Sequence, residues 1–133
     1  MEKTIKPLTV KKFKKIMNLG LYLGSYRHPE IEKKYQERDK NKDPINYYNK
    51  TLDWSLNDYP YYWQKGIEHW LLWYHGNWKE FEEKYEKWIL KFTKTYILAW
   101  INPPCLRSIN NFPHCHVLLW NKKLIQKKNV RKV

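Results

Sequence analysis

The chain is poor in the features that would place it outside an ordinary globular class. It has two cysteines in 133 residues, Cys105 and Cys115, and neither belongs to a C-x-x-C pair. That excludes a disulfide framework, and a reducing compartment is the default expectation. No apolar run approaches the roughly 20 residues a spanning helix needs, so no membrane span is expected. The N-terminal MEKTIKPLTVKKFKKIM is basic but has no continuous apolar stretch and no small-residue cleavage site, so no secretion signal is read there. There is no internal repeat, and the expected localisation is cytoplasmic.

Acidic residues are also scarce, 13 against 26 lysines and arginines, giving a formal charge of +13. The excess sits at the ends. Residues 1–15 carry +5 and residues 121–133 carry +6, which leaves +2 for everything between. The organisation expected is a basic N-terminal segment (1–15), one α+β domain (16–120) and a basic tail (121–133). Such ends can neutralise phosphates on a nucleic acid; a solvated charge run is the alternative reading.

Aromatic residues are abundant, with eight Trp and eleven Tyr. Val10, Phe13, Ile16, Met17 and Leu19 recur at helical spacing over 9–19, and Gly20 suits a stop. HPEIEKKYQERDK reads as a second helix, with Pro29 in its first turn and Glu30 and Glu32 near the positive dipole end. The stretch 45–62 lacks a period and is expected to be an irregular connection anchored by aromatics. IEHWLLWY, residues 67–74, reads as a strand with Ile67, His69, Leu71 and Trp73 on one face. Asn77 and Glu80 mark a helix start, and Trp78, Phe81, Tyr85, Trp88, Ile89 and Phe92 form an aromatic stripe for core packing. TYILAWIN (95–102) and HCHVLLW (114–120) read as further strands, the former ended by prolines. The expected fold class is α+β, a mostly antiparallel sheet with packed helices.

The chemistry-bearing stretch is NPPCLRSINNFPHCHVLLW, residues 102–120. On a strand, His114 and His116 share a face and Cys115 takes the other, so the three do not form one metal motif. Two imidazoles on one face suit nucleophilic and proton-transfer work, or metal binding with His69 as third ligand. Histidines donating to backbone carbonyls are the structural alternative.

The stretches LGSYRHPEIEKKYQ, LDWSLNDYPYYWQKGIEHWLLWY and INPPCLRSINNFPHCHVLL resemble the N-acetylglucosamine-induced protein family, cytosolic fungal proteins with relatives in large DNA viruses. The matching positions are Leu23, Gly24, Arg27, Pro29, Trp54, Pro60, Tyr61, His69, Asn102, Ser108, His114 and His116. That likeness implies a cytoplasmic or virion setting. More distantly, YILAWIN…RSI…HCHVLL is similar to the C-terminal half of histidine triad nucleotide hydrolases and transferases. The likeness implies that His114 is the nucleophile that carries a nucleotidyl intermediate, with His116 as the last triad histidine. It also implies that Asn102 and Ser108 orient the phosphate. Phe112 stands where the first triad histidine would be, and Pro103 and Pro104 replace the glycines of the phosphate loop.

The leading expectation is therefore a phosphate-ester domain that takes a nucleotide, nucleotide sugar or other phosphorylated small molecule. Its catalytic residues are His114, His116 and Ser108, and its ligand-binding residues Asn102, His69, Arg107, Trp54 and Trp100, with Trp63 a further ring able to stack on a base or sugar. It needs no cofactor in that reading. Two alternatives accompany it: a divalent metal on His69, His114 and His116, and a non-enzymatic nucleic-acid-binding protein using its basic ends. A homodimer is compatible with each.

Overall fold

Antiparallel pairing of four short strands builds the sheet that everything else packs on. The structure, a computed structural model, describes residues 6–19, 26–38, 51–103 and 112–121. Helices α1 (Val10–Leu19) and α2 (Pro29–Glu37) come first, followed by strands β1 (Leu52–Leu56) and β2 (Ile67–Tyr74). Helix α3 (Trp78–Ile89) and strands β3 (Leu98–Trp100) and β4 (His114–Trp120) complete the order. The spatial order is β1-β2-β4-β3, and every pair is antiparallel. The class is α+β, as the patterning predicts.

Alternation along β2 and β4 divides the core in two. Leu72, Cys115 and Val117 point to one face, where Phe81 and Ile89 of α3 meet them. Leu118 points to the other with Trp100, and there Phe13 of α1, Leu8 and Trp63 close over it. Phe13 has no exposed surface, and its ring lies 4.7 Å from Trp100 and 5.2 Å from Trp63, so this face is built mainly from aromatic edges and planes.

The helix starts follow from local chemistry. The Asn77 side chain accepts from the Glu80 backbone N–H at 2.7 Å, capping α3. Glu80 itself accepts from the Tyr74 hydroxyl at 2.7 Å and from Lys84 at 3.3 Å, tying the helix back to the strand before it. His28 caps α2 by accepting from the Glu30 N–H at 3.2 Å, with Pro29 in the first turn. Gly66, at φ 94°, takes the left-handed turn that leads into β2.

Three expectations are corrected. Residues 45–62 are not irregular throughout, because Leu52–Leu56 pairs with Trp70–Tyr74 as an edge strand. Leu52, Trp54 and Leu56 do alternate with polar Asp53 and Ser55, but over five residues set in a polar, aromatic stretch that alternation is too short to stand out. The strand expected over 95–102 is confined to Leu98–Trp100; before it the Ile97 N–H still donates to the Leu118 carbonyl at 2.8 Å, and beyond it Asn102 Oδ1 accepts from the Trp100 indole N–H at 3.0 Å. The segment set apart as 1–15 is not merely a charged end. Leu8 forms a parallel bridge with Trp63, and Phe13 is fully buried. Gly20, Cys105, Arg107, Ser108 and the tail 122–133 lie outside the described residues.

Candidate functional site

The sheet register brings the histidines together. His116 pairs across the ladder with Leu71 on one side and Trp100 on the other, so His69, two residues before Leu71, is its diagonal neighbour. The two rings lie 5.0 Å apart, and His69 Nε2 is 2.8 Å from His116 Nδ1. Trp100 stacks flat on His116 at 5.0 Å and 9°, and the Tyr61 ring covers both imidazoles, 5.0 Å from His69 and 5.9 Å from His116. His114 pairs with Trp73 and stacks on it at 4.4 Å, with Trp78 at 5.9 Å. All three histidines are buried.

Their protons can be placed from partners that have only one role, since an N–H of indole or amide only donates and a carbonyl oxygen only accepts. His69 Nδ1 faces the Trp63 indole N–H at 3.2 Å and the Tyr61 backbone N–H at 3.3 Å, so it is an acceptor. A neutral His69 then carries its proton on Nε2 and donates it to His116 Nδ1. By the same step a neutral His116 carries its proton on Nε2. That nitrogen lies 3.3 Å from Asn102 Nδ2, while Asn102 Oδ1 accepts from the Trp100 indole. Asn102 Nδ2 is itself a fixed donor and by itself would make His116 Nε2 an acceptor; a neutral pair of rings can satisfy only one end of the chain, and His69 Nδ1 faces two fixed donors where His116 Nε2 faces one. His114 Nδ1, at 2.8 Å from the Phe112 carbonyl, must carry a proton, so in a neutral ring the lone pair is on Nε2.

Electrostatics agrees with neutral His69 and His116 rings. Burial, assisted by the positive Arg27, holds His69 down to about 3, and burial together with His69, His114 and Arg27 holds His116 well below its ordinary value. Arg27 is fixed through its Nε donating to the Tyr59 carbonyl at 2.7 Å, with its guanidinium 4.0 Å above the Tyr35 ring. Cys115 lies in the opposite core, where burial raises its thiol pKa and suppresses the reactive thiolate.

His69, Asn102, His114, His116 and Trp100 therefore come together on one face, while Ser108 and Arg107 lie outside the described residues. Trp54 does not join them. It lies on the α3 face, stacked between Trp70 at 5.1 Å and Phe92 at 5.6 Å, because alternation along β1 points it away from the histidines. Trp100 is present but only 3 % exposed, and its plane is taken by His116, so it supports the imidazole instead of stacking on a ligand. The three-histidine metal arrangement is also corrected: His69 spends Nδ1 on Trp63 and Tyr61 and Nε2 on His116, leaving no lone pair for a metal. Among the described residues no group of three or more His, Cys, Asp or Glu is placed to hold a metal ion.

Sequence reasoning missed the hydrogen-bonding roles of Trp63 and the Tyr61 amide. They lie on a segment that folds back over β2, and no periodic spacing relates them to His69.

No family model and no curated protein matches the chain. Among solved structures, the crystal structure of HTC1 is similar in fold, with a TM-score of 0.56 and 19% identity over 84% of this chain and 84% of that one. Similarity at that identity concerns the fold alone.

Proposed function

We propose that this domain binds a nucleotide, a nucleotide sugar or a related phosphate ester and cleaves it through His114, in the manner of the histidine triad proteins that its C-terminal half resembles. The observation that carries the reading is the 2.8 Å contact of His114 Nδ1 with the Phe112 carbonyl. It places a ring proton on Nδ1, so that in this reading a neutral His114 presents Nε2 as the atom that attacks phosphorus. In the first step an N–P bond forms at Nε2, the P–O bond to the leaving group breaks, and the leaving oxygen departs with the electron pair and takes a proton from water. The Phe112 carbonyl supports the N–H as positive charge grows on the ring. Water then displaces the phosphoryl group from nitrogen and releases a proton to solvent.

In this reading Asn102 Nδ2 and, in the tautomer that Trp63 favours, His116 Nε2 turn from their mutual contact to donate to a phosphoryl oxygen, whose negative charge rises during both steps. Ser108 contributes to phosphate orientation in this reading, and no metal is required. The test is incubation of the full chain with a panel of nucleoside phosphate esters, phosphoramidates and nucleotide sugars. Wild type should form an acid-labile covalent adduct detectable by intact mass. His114→Asn should form none while retaining the wild-type unfolding midpoint. Turnover that survives in His114→Asn would overturn the assignment.

A second reading, binding of a nucleic acid, is favoured by one observation. Lys11, Lys12, Lys14 and Lys15 all lie exposed on α1, whose other side is anchored by buried Phe13. A basic helix face held rigidly on the domain can place charge against phosphates.

A further inference from the structure

We propose that Trp63 is a positioning residue which, acting through His69, fixes the proton of His116 on Nε2 and so makes His116 a hydrogen-bond donor toward the phosphate site. The use of that donor rests on the phosphate-ester reading above; the placement of the protons does not.

An imidazole alone has no strong preference between its two neutral forms, so the form present is set by whichever partner cannot change its own role. Trp63 is such a partner. Its indole Nε1 carries a permanent hydrogen and lies 3.2 Å from His69 Nδ1, with the Tyr61 backbone N–H at 3.3 Å as a second donor on the same nitrogen. His69 must then present Nε2–H to His116 Nδ1 at 2.8 Å, and His116 must present Nε2–H outward beside Asn102. The chain of donation runs in one direction from indole to imidazole to imidazole. The reverse direction would suit the Asn102 amide at His116 Nε2 but would set a His69 Nδ1 hydrogen against two fixed donors, Trp63 and the Tyr61 amide, where the forward direction opposes only the one from Asn102.

The indole is held firmly enough to serve. Trp63 is 7 % exposed and packs edge-on against Phe13 at 5.2 Å. Its segment is clamped by the N-terminal residues, where the Leu8 N–H donates to the Tyr62 carbonyl at 2.6 Å and the Gln64 N–H donates to the Leu8 carbonyl at 2.8 Å. Packing alone could explain a buried tryptophan. It does not explain an N–H aimed at the nitrogen whose protonation decides what His116 offers.

Long-range proton–nitrogen NMR on the uniformly labelled full chain at neutral pH tests the proposal. Wild type should show both His69 and His116 protonated on Nε2, with Nδ1 of each in the unprotonated shift range. Trp63→Phe keeps an aromatic ring and removes the N–H. It should shift His69 toward the Nδ1–H form and give His116 a second tautomer, with that population rising about fivefold or more, the loss expected for one ordinary hydrogen bond. Both rings remaining purely Nε2–H in Trp63→Phe would overturn the proposal. If Trp63→Phe does not fold, the wild-type spectrum decides, since Nδ1–H on His69 is incompatible with the arrangement. Where turnover is present, Trp63→Phe should lower kcat more than it raises KM. A panel of phosphate esters that gives no turnover while the wild-type and variant tautomers behave as stated would remove the phosphate-ester reading and leave the proton chain standing.

Discussion

His69 and His116 are polar groups placed where a hydrophobic side chain would pack more simply, and they are tolerated because each ring nitrogen facing the interior meets a partner. Their neutrality makes stability depend on pH. In the unfolded chain each binds a proton near the ordinary value of 6.5, whereas the folded chain excludes it, down to about 3 for His69. The unfolded state therefore holds more protons through that window. Stability is complete above 6.5 and declines as pH falls toward 3, with a slope of up to about 1.4 kcal/mol per pH unit for each histidine. Urea midpoints measured between neutrality and mild acid should fall steeply in wild type and less steeply in His69→Gln. Equal slopes would show that His69 does not resist protonation. That His114 and His116 share a face was legible in the sequence, because strand alternation needs only a count of two. Which nitrogen of each ring is protonated was not, because Trp63, Tyr61 and Asn102 reach the histidines from other parts of the fold.

Among the elements, the N-terminal stretch shows most clearly how charge can mask packing. Six lysines in its first fifteen residues suggest a solvated end, yet Leu8 and Phe13 carry it into the core. Leu8→Ala should cost about 2–3 kcal/mol of unfolding free energy, as for other buried leucines, measurable in a urea titration. A change near zero would return residues 6–9 to the status of a tail. α1, α2, β2, α3 and β4 were readable from caps and periodicity, since Asn77, Pro29 and the aromatic stripe of α3 act within a turn or two of themselves. β1 was not, because an edge strand of five residues is stabilised by its neighbour, and neither was the short extent of β3.

At the scale of the whole molecule, a formal charge of +13 on 133 residues predicts how the protein should meet polyanions. If the exposed lysines of α1 and the basic tail act together on nucleic acid, affinity for a single-stranded probe should fall about a thousandfold between about 50 and about 200 mM salt. Deletion of residues 121–133 should flatten that dependence as well as weaken binding. A shallow response in the intact chain, followed by filter binding or fluorescence anisotropy, would argue against the nucleic-acid reading. Among the described residues no helix is long and apolar enough to cross a membrane.

The sequence by itself determined the class of fold, the position of most helices and strands, and the face on which His69, His114 and His116 lie. These depend on periodicity and capping, which act over a few residues. Tertiary structure alone decided that His69 touches His116, that Trp54 belongs to the opposite core, and that the three histidines are not arranged as metal ligands. Those outcomes depend on strand register and on the folding back of 59–64 over β2, contacts between residues far apart in the chain that no local pattern encodes.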